Sequence, residues 1–261
     1  MTTKNNFTTN NFEELSILVS LYGLSFMLKN GETKEKKFFE YSFNPQNPVG
    51  VEKELIKIIE ERDILKNNFE KLHIIHHNKL NTLIPKAIFD KDLIKDYLNF
   101  NIKLLPTDFA DFDEINSLKS VNAFVPFVNI NNILLDYNKQ INFHHSASIF
   151  LKKIQKIRKQ KTKLNLHDIY VNVYTHDFQL AIFKDEKLEL YNHFPYENID
   201  EFLYYLFFAF ESLQLDKNKT NFNVSGIDNQ HEIIKNLKDF SPKIHIITSD
   251  YKSQINNFML S

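Results

Sequence analysis

The chain has 261 residues, and its 32 lysines and arginines against 33 aspartates and glutamates exclude a general electrostatic attraction to nucleic acid or to an anionic membrane. The absence of cysteine excludes disulfides, thiol catalysis and cysteine-ligated metals. Because the N-terminus is polar and the longest apolar run, FLYYLFFAF, is far shorter than the ~20 residues of a membrane span, we expect a cytoplasmic protein without a membrane segment.

The first predicted elements form a β-β-β-α-β unit. Apolar residues alternate with polar ones on both sides of Gly23, which predicts a hairpin, and a third alternating run follows a KNGE turn. A helical spacing of apolar residues and a short buried strand come next. The predicted strands are Leu15–Tyr22, Leu24–Leu28, Lys37–Phe43 and Leu72–His76, with the helix at Val51–Leu65.

The middle of the chain has a less regular pattern. We predict a helix at Asp90–Leu98, a strand at Asn122–Val128 and a short helix at Asn131–Asn138. The acidic stretch DFADFDEIN is interpreted as a loop that enters a short helix. It lacks the glycine and the spacing of known calcium loops, so it is not predicted to bind a divalent metal.

The second half repeats the first unit roughly 150 residues later. Three alternating runs are followed by a strongly apolar helix, a strand, a second helix and a final strand. We predict the strands at Asp168–Thr175, Phe178–Phe183, Leu188–Tyr191, Asn221–Ser225 and Lys243–Thr248, and the helices at Ile199–Leu213 and His231–Leu237. One unit used twice predicts two related α/β lobes, which we place at residues 12–145 and 146–261.

Three stretches carry a resemblance to a known family: LSILVSLYGLSFML, HHSASIFL and LYNHFPYENIDEFLYYLFFAFESLQLD. They resemble an uncharacterised bacterial family of unknown function that has an actin-like ATPase fold. The two β-β-β-α-β units are also similar to the plan of actin, the Hsp70 chaperones, sugar kinases and pilus-assembly proteins. The resemblance implies two ribonuclease-H-like lobes with a nucleotide cleft between them, and it implies a fold rather than an activity.

The resemblance also implies where a nucleotide would be held. In active relatives the first turn of each lobe grips phosphate and metal, usually with Asp followed by Gly, and a Gly-rich turn receives the adenosine. Here Ser20 stands at the expected Asp position, and a serine lacks the charge that holds Mg²⁺. The second turn keeps an Asp but has no glycine. The positions implied for cofactor binding are Ser20, Gly23, Thr175, His176, Asp177, Ser225 and Gly226.

We therefore expect a vestigial nucleotide cleft without a bound cofactor, in a non-catalytic scaffold or interaction protein. The alternative is a divergent ATPase or phosphotransferase in which Asp177, aided by Ser20 and Thr175, still organises ATP and Mg²⁺ in the cleft. The bulky side chains of His176 and Phe178 favour the first hypothesis, because they would crowd a phosphate.

Histidines cluster in two places along the first half. In KLHIIHHN, His73 and His77 would share one face of a strand while His76 faces the other way. That spacing suits a zinc pair poorly, and with no nearby carboxylate we expect no metal site there. His144 and His145 are expected either to end a strand or to line the cleft.

A basic stretch follows the second histidine pair. Ser146 or Ser148 is predicted to cap a helix that runs to about Lys161, with apolar residues at helical spacing on one face. The opposite face is predicted to be positive, and it is either a solvated connector between the lobes or an electrostatic footprint for RNA or an acidic protein. The residues that would make this contact are Lys152, Lys153, Lys156, Arg158 and Lys159.

The run FLYYLFFAF, from Phe202 to Phe210, is apolar on every side of a predicted helix. A helix packed on one sheet keeps a polar face, so this helix is expected to be covered on both sides. Burial in the core is the simpler explanation. The alternative is a homodimer or protein-partner surface with Tyr204 and Tyr205 at its rim.

Overall fold

The computed structural model describes residues 12–44, 47–62, 64–66, 69–137, 140–160, 166–241 and 243–247. The strands in this part of the chain are β1 (Glu14–Val19), β2 (Gly23–Lys29), β3 (Lys36–Ser42), β4 (Lys71–His76), β5 (Asn81–Pro85), β6 (Asp111–Ile115), β7 (Ser120–Phe124), β8 (Ile141–His145), β9 (His167–Val173), β10 (Asp177–Lys184), β11 (Lys187–Pro195), β12 (Thr220–Ser225) and β13 (Ile244–Ile246). The α-helices are α1 (Pro48–Arg62), α2 (Ile94–Asn99), α3 (Val128–Tyr137), α4 (Ser146–Lys159), α5 (Ile199–Ser212) and α6 (Glu232–Phe240). No helix among these has both the length and the hydropathy of a membrane span.

Two five-stranded sheets have the same strand order. The first sheet is β3-β2-β1-β4-β8, and the second sheet is β11-β10-β9-β12-β13. In both, the first three strands form an antiparallel meander, and the fourth and fifth strands lie parallel to the first. This repetition confirms the α/β fold class predicted from the two β-β-β-α-β units.

The first hairpins of the two sheets have the same register. Val19 lies opposite Leu24 in the first sheet, and Val173 lies opposite Phe178 in the second. Both hairpins therefore close over four residues, and positions 20–23 of the first turn correspond to positions 174–177 of the second. Residues further along the strands can be matched in the same way.

Each five-stranded sheet has its own hydrophobic core. In the first, Leu15, Ile17 and Val19 of β1 pack with buried residues of α1 and α3. In the second, the corresponding residues 169, 171 and 173 of β9 pack with α5 and α6. The alternating apolar positions of the sequence thus face a helical layer in both halves, as the period of a strand requires.

Helix α4 lies between the two sheets. Its Phe150, Leu151 and Ile154 are buried in a third core that contains residues of both sheets, among them Met27 and Phe183. Part of the interior between the halves is therefore an apolar core. Because α4 packs against both sheets, the lobe boundary placed between residues 145 and 146 stays a prediction.

The start of α4 differs from the sequence-based expectation. The N-cap is His145, whose Nδ1 accepts the backbone N–H of Ala147 at 3.2 Å, so neither Ser146 nor Ser148 is the cap. Both serines lie in the first turn and are buried. A histidine is not among the residues that usually cap a helix, which is why the pattern favours the serines.

The third sheet lies between β4 and β8 in the chain and has the order β5-β7-β6. It contains part of the acidic stretch that the sequence pattern assigns to a loop and a short helix, and that assignment is wrong. Asp111–Ile115 forms β6, which pairs antiparallel with β7. Asp113 is buried, and its Oδ2 accepts the backbone N–H of His145 at 2.8 Å. A hydrogen-bonded carboxylate thereby occupies an inward position that is typical of an apolar residue.

Candidate functional site

The two turns that the resemblance assigns to phosphate binding have the same hydrogen-bonded form. The N–H of Ser20 donates to the carbonyl of Gly23 at 3.0 Å, and the N–H of Tyr174 donates to the carbonyl of Asp177 at 2.9 Å. The Ser20 hydroxyl donates to the same Gly23 carbonyl at 3.0 Å, so it is used within the turn. The first-turn counterpart of Asp177 is Gly23, and that of Tyr174 is Ser20.

Two aromatic rings, the partly buried Tyr22 and the exposed His176, lie in the space between the two turns. The Tyr22 ring of the first turn stacks on the His176 ring of the second, with centroids 4.3 Å apart and planes 25° apart. A cavity of about 60 Å³ remains beside them. Such a volume holds a few water molecules and is far too small for a nucleotide.

The turn implied to receive adenosine packs against β9 instead. Gly226 has a φ of +87°, and a Cβ there would lie 2.0 Å from the carbonyl oxygen of Val173. Ser225 is buried, with its Oγ 3.1 Å from the carbonyl oxygen of Val171. Of the seven implied positions, those that line the small cavity are Ser20, Gly23, Thr175, His176 and Asp177.

Asp177 contacts two histidines from distant parts of the chain. Its Oδ1 lies 2.9 Å from Nε2 of His77, which follows β4, and 2.9 Å from Nε2 of His193 in β11. The side chains of His77, His193 and Asp177 are 3%, 5% and 14% exposed. Nε2 of His193 is buried and has no hydrogen-bond partner among the described residues.

The surroundings of Asp177 keep it ionised. Burial alone would raise its pKa, but the adjacent His77 and His193 outweigh burial and hold the pKa well below its usual range. Burial, and then the charge of Asp177, raises the pKa of Tyr174, whose ring lies 4.0 Å from that of His77. The donor atoms beside Oδ1 of Asp177 are imidazole nitrogens, whereas a hydrated Mg²⁺ takes oxygen ligands, so the cluster does not suit Mg²⁺.

Each of these histidines is held through its other ring nitrogen. His77 Nδ1 lies 2.9 Å from Oγ of Ser146, and the same Oγ accepts from Nε2 of Gln179 at 2.9 Å. His193 Nδ1 donates to the backbone carbonyl of Asn78 at 3.1 Å. The cluster therefore connects the end of β4, the start of α4 and the strands β10 and β11, and it joins the two five-stranded sheets.

The expectation that no carboxylate lies near the first histidine group is wrong for His77. Asp177 lies 100 positions after His77 in the chain. The sequence around His193 gives no sign that it belongs to the same cluster. Only the meeting of two strand ends brings the three side chains together. His144 lies elsewhere, with its Nε2 3.3 Å from Nδ1 of His73.

Comparison with known proteins identifies the family. The family described as "Protein of unknown function (DUF3822)" matches residues 2–244. The chain belongs to this family. None of the curated proteins matches it. The resemblance drawn from the three sequence stretches, to an uncharacterised family with an actin-like ATPase fold, is confirmed.

Solved structures confirm the fold of this family member. A protein from Bacteroides thetaiotaomicron, described as having an actin-like ATPase fold and unknown function, is 17% identical, with 98% of each chain covered and a TM-score of 0.82. A chain of the PilM-PilN type IV pilus biogenesis complex is 9% identical, with 95% of this chain and 90% of that chain covered and a TM-score of 0.62. At these identities the similarities show the fold alone.

Helix α4 exposes fewer positive charges than the sequence predicts. Three of its lysines are exposed and one is half-buried, and burial followed by the charges of neighbouring lysines lowers the pKa of the half-buried one. The exposed residues are Lys152, Lys156 and Lys159, and the half-buried one is Lys153. Lys161 and Lys163, which extend the basic stretch in the sequence, lie outside the described residues.

The placement of Arg158 on a positive surface is wrong. Its side chain is 4% exposed, and its Nη1 donates to Oδ2 of Asp168 at 2.8 Å. Asp168 is fully buried, and the guanidinium also donates to the backbone carbonyl of Asp185. The charge of Arg158 is therefore neutralised inside the protein and is not available to RNA or to an acidic partner.

Helix α5 buries one face and exposes another within the described part of the chain. The buried residues are Phe202, Leu206, Ala209 and Phe210. Tyr205 is partly buried and stacks on Phe194 at 4.9 Å between centroids. Tyr204 and Phe208 are 62% and 59% exposed, and their rings stack on each other, so the helix is not covered on both sides. Core burial explains most of the apolar run but not this exposed pair.

A second, larger cavity lies between two strands that each have a neighbour on one side only. Strand β5 is an end strand of the third sheet, and β11 is an end strand of the second sheet. The groove between them has a volume of about 1100 Å³ and is lined by residues of both strands, including Leu83, Tyr191 and His193. Of this groove and the small cavity beside Tyr22 and His176, only the groove is large enough for a sizeable ligand.

Proposed function

We propose that this protein is a non-catalytic member of the actin-like fold, a pseudo-ATPase that acts as a scaffold through contacts with other proteins. The observation that carries the proposal is the stack of Tyr22 on His176, which leaves about 60 Å³ where the fold would place a triphosphate. The proposal keeps the cytoplasmic location expected from the sequence.

The polar groups around this space also argue against the ATPase or phosphotransferase alternative. The Ser20 hydroxyl is engaged within its own turn, and Asp177 faces His77 and His193. A hydrated Mg²⁺ takes oxygen ligands, whereas Ser20 carries no charge and Asp177 is flanked by imidazole nitrogens. Thr175 is exposed and lies beside the same small cavity.

Two surfaces support a role in protein contacts. One is the exposed Tyr204–Phe208 pair on α5, since aromatic side chains are enriched at interfaces. The other is the groove between β5 and β11, because end strands present unpaired backbone groups to an extended partner. The similar PilM-PilN structure is an assembly of two proteins, which shows that a relative of this fold holds a protein partner.

The direction of the unpaired backbone groups can be derived for β5. Lys86 N–H donates to Lys119 at 2.8 Å and Val125 N–H donates to Leu80 at 2.9 Å, at the two ends of the β5–β7 pair. Because hydrogen-bonded pairs alternate along an antiparallel ladder, the backbone groups of residues 81 and 83 point away from β7 and toward the groove. These backbone groups make no hydrogen bonds to β7, so an extended segment of a partner protein could pair with them.

The nucleotide test separates the scaffold from the enzyme. We expect no change in thermal midpoint with millimolar Mg-ATP or Mg-ADP, with MgCl₂ alone as the control. A true ligand at about 100 times its Kd would raise the free energy of unfolding by about 2.7 kcal/mol. A saturable rise that disappears in Asp177→Asn would support the ATPase alternative and remove the scaffold proposal in its present form.

The partner can be another protein or a second copy of this chain. Sedimentation of the wild type and of Tyr204→Asp distinguishes these cases. A dimer that dissociates in the variant would assign the α5 surface to self-association. A monomeric wild type would assign that surface to a different protein.

A further inference from the structure

The His77, Asp177 and His193 cluster has the dimensions of a metal site. One ligand atom from each residue lies within 4.8 Å of the other two, and Oδ1 of Asp177 is 2.9 Å from Nε2 of each histidine. The side chains are between 3% and 14% exposed. Two imidazoles and one carboxylate form a donor set that suits first-row transition metals such as Zn²⁺ and Fe²⁺ rather than Mg²⁺.

The hydrogen-bonding of His193 directs a lone pair of its ring at Asp177. Its Nδ1 lies 3.1 Å from the Asn78 carbonyl oxygen, which only accepts, so Nδ1 carries the hydrogen. In the neutral ring, Nε2 then holds a lone pair. That nitrogen is buried, has no hydrogen-bond partner among the described residues and lies 2.9 Å from a carboxylate oxygen of Asp177. Two electron-rich atoms at this distance repel each other unless a positive charge lies between or beside them.

His77 can present a lone pair to the same point. Its Nδ1 lies 2.9 Å from Oγ of Ser146, and a hydroxyl oxygen can accept the Nδ1 hydrogen. Nε2 of His77 then faces Asp177 without a hydrogen. In both histidines the outer nitrogen is thus held by an oxygen, which is the arrangement that orients metal-binding imidazoles and fixes their tautomer.

We propose that His77, Asp177 and His193 bind one divalent transition-metal ion, with Zn²⁺ as the representative, and that the ion joins the two five-stranded sheets. His77 lies at the end of the first sheet, and the other two ligands belong to the second. His193 also lines the large groove, whereas His77 and Asp177 line the small cavity. A water molecule from either side completes the four ligands that Zn²⁺ prefers.

The direct test is zinc binding by the full chain after chelator treatment. Isothermal titration with ZnCl₂ is expected to give one site per chain in the wild type. His193→Gln and His77→Gln should each weaken it by more than about 100-fold, since losing even the group behind a metal-binding histidine costs about 10- to 100-fold. The matched control is His144→Gln, because His144 also lies beside a carboxylate, with its Nδ1 3.3 Å from Asp113 Oδ1, yet outside the cluster.

A second readout keeps the test independent of stability. Co²⁺ added in place of Zn²⁺ should give visible absorption bands typical of histidine-bound cobalt in the wild type and in His144→Gln, and circular dichroism should show that every variant is folded. The proposal is overturned if the folded wild type takes up no stoichiometric zinc, or if His193→Gln binds it as tightly as the wild type.

Discussion

The two hairpin turns keep one backbone form and carry different side chains. Tyr22 and His176 occupy corresponding positions, and their rings stack on each other at 4.3 Å. At the next position the first turn has Gly23 and the second has Asp177. The two halves therefore share the backbone form of this turn, while the side chains at matched positions differ and meet between the turns.

A similar contrast occurs at the other end of the same strands. Glu14 in β1 corresponds to Asp168 in β9, because each lies five residues before the last residue of its strand in the shared register. Glu14 is partly exposed and pairs with Lys29 at 3.1 Å. Asp168 is fully buried and pairs with Arg158 at 2.8 Å. One position thus holds a carboxylate in both halves, but only the second half depends on a buried ion pair.

The largest predicted effect breaks this buried pair. Arg158→Met should lower the free energy of unfolding by about 3–5 kcal/mol, because Asp168 would be left buried without its charged partner. Lys29→Met, the matched change at the partly exposed pair, should cause a much smaller loss, because Glu14 keeps Lys71 as a second partner at 2.8 Å. Urea denaturation of both variants measures the difference. Equal losses would show that the two carboxylates are equivalent after all.

The next effect concerns His76, the last residue of β4. Its counterpart in the second sheet is Gly226, which follows β12. Burial lowers the pKa of His76 to about 3, against about 6.5 in the unfolded chain. Between these values only the unfolded state binds the proton, so stability falls as the pH falls. We expect a loss of about 3 kcal/mol from this group between pH 7 and pH 4, measured by urea denaturation at both values.

The control for this pH effect is His76→Asn. The Nδ1 of His76 accepts the backbone N–H of Phe127 at 3.2 Å, and an asparagine oxygen can take over that role. The variant lacks the titrating group. Its loss of stability between pH 7 and pH 4 should therefore be smaller than that of the wild type by the amount expected from His76. An unchanged slope in the variant would assign the acid sensitivity to other residues.

A smaller loss is predicted for Gly226→Ala. The left-handed φ of +87° and the Val173 oxygen at 2.0 Å from the added Cβ should together cost at least about 2 kcal/mol. Gly50→Ala, the same substitution within helix α1, should cause no loss, since alanine favours a helix. Thermal unfolding of the two variants compares them. If Gly226→Ala caused no loss of stability, β9 and the turn after β12 would be less tightly packed than described.

The smallest effect tests the contact between the turns. A double-mutant cycle with Tyr22→Ala and His176→Ala should give a coupling energy of about 0.5–1.5 kcal/mol, the usual value for an aromatic pair. Urea denaturation of the two single variants and the double variant provides the cycle. Strictly additive losses would show that the rings do not interact in solution.

Much of the fold could be predicted because local patterns of apolar and polar residues determine it. Alternating residues on both sides of Gly23 and across 168–183 gave the hairpins, and their repetition gave the two five-stranded sheets. Of the third sheet, the pattern indicates only one strand, the predicted Asn122–Val128, which overlaps β7. The strand Asp111–Ile115 of the same sheet is acidic, and its inward Asp113 is stabilised by a hydrogen bond from His145, a contact that the local sequence does not indicate.

The candidate site was predicted only in its location. The loss of phosphate-binding groups follows from residue types, but the closure by Tyr22 and His176 depends on two turns more than 150 residues apart. The same holds for Asp177 and His77, and for Arg158, whose basic sequence neighbours predict a surface position. Residue spacing describes one strand or helix at a time, so it cannot show which strand ends meet.

The most direct test of the closed cleft is a crystal structure of the protein grown with millimolar Mg-ATP. The account predicts that Tyr22 and His176 stay stacked and that no nucleotide density appears between the two turns. Density for a nucleotide with Mg²⁺ between the turns, with the two rings moved apart, would contradict it.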